Sequence, residues 1–129
     1  MRTLTMIALS LGALLILAAC GAREVSQQAT SAQFQVRISL DAAATGSRVA
    51  QINVLDRDNR PVVADSMMLA PTMGGMSHSL PELVATPEAP GHYRATGELF
   101  SMGGLWELAV AVRRGSAAES VRFSIDVAR

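Results

Sequence analysis

Lysine is absent from this chain: its basic residues are all arginine, and 11 of them face 11 acids, so the formal net charge is zero. Without a charge excess there is no attraction for a polyanion, which excludes nucleic acid as a partner and a basic coating role. Aromatic residues are scarce at 4%, and cysteine occurs once, at Cys20. One cysteine excludes an internal disulfide and a thiolate metal cluster, and nothing beyond position 20 offers a cysteine nucleophile. The phosphate-binding patterns Gly-x-x-x-x-Gly-Lys and Gly-x-Gly-x-x-Gly are missing, as is the Gly-x-Ser-x-Gly elbow of serine hydrolases. Glu82, Glu88, Glu98 and Glu107 are scattered, with no partner implied for acid/base work. The chain therefore reads as not an enzyme. Its 129 residues leave room for one domain and exclude a multidomain machine.

What is present begins with an export signal. Arg2 supplies a positive charge, and Leu4 to Leu17 is apolar apart from Thr5, Ser10 and Gly12, followed by the small residues Ala18 and Ala19. That run is short of the ~20 residues of a membrane span and fits a secretory signal over residues 1–19. It closes on Leu17-Ala18-Ala19-Cys20, which resembles the lipobox of bacterial lipoproteins, in which the cysteine becomes residue one and carries acyl chains. The resemblance implies lipidation at Cys20 and a membrane partner through that anchor; the alternative is an ordinary signal cut near Ala19 that leaves a spare thiol. Gly21 rather than Asp follows the cysteine, and by resemblance to lipoprotein sorting this favours the outer membrane, facing the periplasm.

Without residues 1–19 the chain keeps 110 residues, with 10 arginines and 11 acids. Residues 20–33 are small and polar without a period, and predict a lipidated cysteine on a flexible tether. From Phe34 the pattern switches to period two. Phe34, Val36, Ile38 and Leu40 alternate with polar residues, as do Ala50, Ile52 and Val54. Asp56 to Pro61 is a turn cluster, so the strand before it and the strand predicted over Val62 to Leu69 should form a hairpin. A calcium loop is the competing reading of Asp56, Asp58 and Asn59, but the glycine and terminal glutamate of an EF-hand are lacking.

A loop is predicted from Ala70 to Gly91. Further alternating strands follow at Tyr93–Leu99, Trp106–Val112 and Val121–Val127, with a tight turn at Arg114-Gly115-Ser116. Six strands, with a seventh around Leu80 to Val84, predict an all-β, immunoglobulin-like β-sandwich over residues 34–129, with Trp106 and the Val121-Phe123-Ile125 stripe in its core.

Beyond the signal, methionine is confined to Met67, Met68, Met73, Met76 and Met102, and both histidines, His78 and His92, lie in that window. Met67 and Met68 are adjacent on a strand, so they point to opposite faces and one fills the core. His92, at a turn-to-strand junction, reads as an exposed or hydrogen-bonded residue. The densest group is Met73-Gly74-Gly75-Met76-Ser77-His78. A thioether is a soft, uncharged ligand that suits copper(I), needs no deprotonation and forms no disulfide. The same methionines also suit an adaptable apolar contact surface.

Three segments together resemble the YtkA-like/FixH-like domain family. Asp56-Arg57-Asp58-Asn59-Arg60-Pro61-Val62 resembles its hairpin, and Met73-Gly74-Gly75-Met76-Ser77-His78 its Met-Pro-x-Met-x-His loop. Gly91-His92-Tyr93-Arg94-Ala95 and Phe100-Ser101-Met102-Gly103-Gly104-Leu105-Trp106-Glu107-Leu108 resemble its Gly-x-Tyr and Met-x-Gly-x-Trp strands. The resemblance covers about residues 34 to 127. It implies an immunoglobulin-like sandwich outside the cytoplasmic membrane, linked to copper handling, as FixH proteins accompany a copper-transporting ATPase. Carried over by position, Met73, Met76 and His78 are candidate copper(I) ligands, with Met102 beside them. Two departures stand out: Gly74 replaces the family's frequent proline, and a lipobox replaces the membrane helix of FixH. The functional expectation is an envelope lipoprotein that binds copper(I) or hands it to a copper-handling envelope protein. The alternative is a non-metal scaffolding or protein-interaction module.

Overall fold

The computed structural model describes residues 23–74 and 78–129, without the side chain of His78. The expected signal peptide, Cys20 and Met76 lie outside the described residues. Among those described there are ten strands and no helix: β1 (Val25–Thr30), β2 (Phe34–Leu40), β3 (Gly46–Asp56), β4 (Ser66–Met73), β5 (His78–Ser79), β6 (Leu83–Val84), β7 (Thr86–Ala89), β8 (His92–Phe100), β9 (Gly104–Arg114) and β10 (Ala117–Val127).

The strands form two antiparallel sheets. One runs β1-β2-β3-β8-β7 and the other β10-β9-β4-β5, with β6 also paired to β4. Without β1 and the two-residue β5 and β6, this order is that of an immunoglobulin-type sandwich, in which the second and fifth strands are neighbours in one sheet and the third and sixth in the other. The alternating residues supply the two inner faces: Phe34, Val36, Ile38, Leu40, Ala50, Ile52 and Val54 from one sheet meet Met67, Leu69, Trp106, Leu108, Val110, Phe123 and Ile125 from the other. Trp106 and the Val121-Phe123-Ile125 stripe are buried, as the period-two pattern predicts. Met67 is in the core and Met68 on the opposite face is only half-buried, as their adjacency requires.

The tether prediction is corrected over Val25–Thr30. These residues pair along their whole length with β2, from Val25 opposite Leu40 to Thr30 opposite Gln35. Val25, Gln27 and Ala29 do alternate inward, but small and polar side chains hide the period, because an edge strand buries only half of each. Gln27 Nε2 also donates to the Ser124 carbonyl of β10 at 2.8 Å, so β1 shields the free edge of the second sheet.

The predicted hairpin of β3 and β4 starts and is then abandoned. Asp56 N–H donates to the Arg60 carbonyl at 2.9 Å, Leu55 bridges Pro61, and Val62 N–H donates to the Val54 carbonyl at 3.0 Å. Beyond Val62 the chain leaves β3 and crosses to the other sheet, because β8 occupies the rest of that edge of β3. Tyr93 pins the crossing: its hydroxyl accepts from Ala64 N–H at 2.7 Å and donates to the Val62 carbonyl at 3.1 Å. Tyr93→Phe removes both bonds while keeping the ring. A loss of about 1–3 kcal/mol is expected in denaturant unfolding, since an amide and a carbonyl are left inside without partners; no loss would mean that the crossing does not depend on the hydroxyl.

The predicted loop from Ala70 to Gly91 is also corrected. β4 runs on through Pro71 to Met73, and β5, β6 and β7 occupy most of the remainder. A proline is tolerated there because the two short partners of β4 leave a gap: β6 covers Met68 and Leu69, β5 covers Thr72 and Met73, and Pro71 lies between. The expected seventh strand near Leu80 to Val84 is the two-residue β6. The count exceeds seven by β1, which lacks a strong apolar alternation, and by β5 and β7, which are too short to carry a period.

Candidate functional site

The sandwich has two ends of different character. At one, Asp56 caps the β3 turn: its Oδ1 accepts from the amides of Asp58 (2.8 Å) and Arg60 (3.0 Å), with Asn59 in the left-handed region at φ 61°. These amides, that of Arg60 foremost, hold the Asp56 carboxyl below its ordinary pKa. This carboxylate is engaged in closing a turn, in line with the hairpin-turn reading of the cluster over a calcium loop.

The other end carries the methionines. Met73 terminates β4, with Trp106 of β9 and His78 of β5 as its neighbours in register. Met102 sits on the three-residue link between β8 and β9. Met73 is 6% exposed and Met102 42%, so one thioether is almost covered and the other is open to solvent. Both line a depression of about 330 Å³, completed by Gly74, Gly103, Gly104, Leu105 and Arg129.

The glycines make this arrangement possible. A Cβ on Gly104, whose φ is +129°, would sit 3.0 Å from the terminal methyl of Met73, so the thioether fills the space where a side chain would be. A Cβ on Gly103 would lie 2.8 Å from the Cα of Arg129, which shows how tightly the link is held against the segment that follows β10. Trp106 fixes the link from below. Its Nε1 donates to the Met102 carbonyl at 3.0 Å, and its ring meets Phe100 edge-on at 5.8 Å.

Of the predicted ligands, the structure brings Met73 and Met102 together and sets the His78 backbone opposite Met73; Met76 lies outside the described residues. His92 is far from this group, at an exposed position with its Nδ1 2.5 Å from Asn53 Oδ1, in keeping with the non-ligand reading. Among the described residues no three His, Cys, Asp or Glu side chains gather as a metal cluster. The donors that are present are neutral sulfurs. Arg129 in the wall disfavours a cation in proportion to its charge, which weighs twice as heavily on a divalent ion as on copper(I).

Sequence reasoning missed Trp106 as the anchor of the Met102 link, and also Gly104 and Arg129. The Met-Gly-Gly-x-Trp spacing held the signal, because an indole four residues on can reach back to the methionine carbonyl. A second depression, on the outer face of the first sheet, is lined by Gln28, Gln35, Arg37, Asn53 and His92 among others. Its polar groups satisfy one another, with Arg37 donating to Gln28 Oε1, Gln35 to Asn59 Oδ1, and His92 paired to Asn53.

Residues 26–111 match the pattern of the YtkA-like family, from β1 into β9 and through Met73, Met102 and Trp106. The chain belongs to the YtkA-like family. No curated protein is significantly similar to this YtkA-like chain in sequence. In fold it is similar to the crystal structure of a DUF4426 family protein from Pseudomonas aeruginosa PAO1, with a TM-score of 0.57 at 14% identity, covering 78% of this chain and 96% of that one. At that identity the likeness concerns the sandwich alone.

Proposed function

We propose that this YtkA-like domain is a periplasm-facing envelope lipoprotein, anchored through Cys20, that binds copper(I) or passes it to a copper-handling envelope protein. The ligands are Met73, Met76 and His78, with Met102 beside them. One observation carries the reading: two methionines from separate elements, β4 and the β8–β9 link, converge on one open depression, with Gly104 at the start of β9 making room for the Met73 thioether. Neutral sulfurs suit a soft monovalent ion and remain ligands in an oxidising compartment. Met102, 42% exposed, leaves the site open on one side. Gly21 after the cysteine favours the outer membrane.

The test is a titration of residues 21–129, which retain every described strand, with copper(I) under reducing conditions against a chromophoric chelator. The wild type should retain copper stoichiometrically, and Met73→Leu with Met76→Leu should lose it. The volume-conserving change at Met73 costs less than about 1.5 kcal/mol, so the fold survives. Complete loss of copper to the chelator from the wild type would sink the proposal. A second reading, an adaptable protein-contact surface, is favoured by Leu105, which is 62% exposed beside Met102. It predicts that the double substitution leaves copper unaffected and disturbs co-purification of an envelope partner.

A further inference from the structure

The methionine end of the sandwich is also the end at which the chain enters it. β1 begins at Val25, opposite Leu40, and Leu40 leads into the β2–β3 connection at that same end. Ala43 in that connection accepts a hydrogen bond from Ala128 N–H at 3.0 Å. Arg23, Val25, Ala43 and Ala128 share one depression with Arg129, and Arg129 also forms part of the methionine depression. The first strand and the methionine site are therefore neighbours on one end face.

Four residues separate Val25 from Cys20, and the five Cα-to-Cα steps between them span at most about 18 Å when fully extended. β9, at 11 residues, is about 36 Å long, so the turn at Gly115 is held much farther from Cys20 than the methionine end. On that near end face Met102 and Leu105 are exposed, flanked by Arg23 and Arg129. Apolar side chains beside arginines match a headgroup layer, where the apolar part enters the boundary and the guanidinium meets phosphate.

We propose that the methionine end rests on the bilayer that holds Cys20, with Met102 and Leu105 at the headgroup level and the β9–β10 turn pointing away. This rests on the lipid-anchor reading, because without acylation nothing holds the end face to a membrane. The short connection makes the orientation a property of the fold, which a flexible tether of fourteen residues would not.

The full-length lipoprotein in phosphatidylethanolamine/phosphatidylglycerol vesicles tests this. Leu105→Cys and, at the opposite end, Val63→Cys each introduce one thiol at an exposed position for a nitroxide, since the native Cys20 thiol is consumed by acylation. In vesicles, collision of the Leu105→Cys label with a water-soluble nickel chelate should fall severalfold relative to the Val63→Cys label, and the difference should vanish in detergent. Equal accessibility of the two labels on protein that sediments with vesicles overturns the orientation and leaves the anchor intact. Protein that stays in the supernatant, with a Cys20 thiol open to alkylation, overturns the anchor and the orientation with it.

Discussion

Trp106→Ala should lower the stability of the domain by about 3–5 kcal/mol, which brings a single small sandwich close to unfolding, since such domains hold only about 5–15 kcal/mol in all. Trp106 is 1% exposed, lies between the sheets, meets Phe100 edge-on and is the sole tryptophan. Removing it opens a cavity that strands held in two sheets cannot close. Trp106→Phe separates the two roles of the side chain. It retains an aromatic ring against Phe100 and loses only the Nε1 donor to the Met102 carbonyl, so about 0.5–1.5 kcal/mol is expected, together with a looser Met102 link and weaker copper(I) retention. Circular dichroism during denaturant unfolding reads the stability, as the fluorophore itself is removed. An alanine variant within about 1 kcal/mol of wild type would show that the ring does not hold the sheets together.

Gly91→Ala should be strongly damaging, since this turn glycine is buried. Gly91 has φ +76°, and its carbonyl accepts from Val54 N–H at 2.9 Å. An added Cβ would lie 2.9 Å from Pro61 Cβ, 3.0 Å from the Val54 carbonyl oxygen and 3.1 Å from Pro61 Cα. None of these is the end of a flexible side chain, so the backbone must move. The dihedral alone costs about 1–2 kcal/mol, and relieving the contact displaces the Val62–Ala64 crossing that Tyr93 pins. Gly115→Ala is the control: φ there is +58° and nothing lies within 4 Å of the added carbon, so only the dihedral cost applies. In thermal unfolding Gly91→Ala should melt well below Gly115→Ala; equal melting temperatures would show that the close approach to Pro61 relaxes freely.

Both predictions concern positions whose importance the chain discloses unequally. Trp106 is recognisable as a core residue because it sits in an alternating run, and the same period-two signal made β2, β3, β8, β9 and β10 legible. Met73 and Met102 were legible as candidates from residue type, because few side chains offer a soft neutral donor. Position was harder to read. From sequence alone Met73 reads as a loop residue and β1 as a tether, because both depend on what lies beside them: a gap between two short partners tolerates Pro71, and an edge strand needs no strong apolar alternation.

The immunoglobulin-like, all-β class, the alternating core residues and the soft donors follow from the sequence, since period-two burial and side-chain chemistry are local properties. Tertiary structure alone decided the partner of each strand. Local signals favoured a β3–β4 hairpin, and it starts, but β8 claims the rest of that edge of β3 and the Tyr93 hydroxyl carries the chain across to β9. Tertiary structure also decided that Met73, Met102, Arg129 and the start of β1 share one end, because residues up to about a hundred positions apart become neighbours only when two sheets close over a common core.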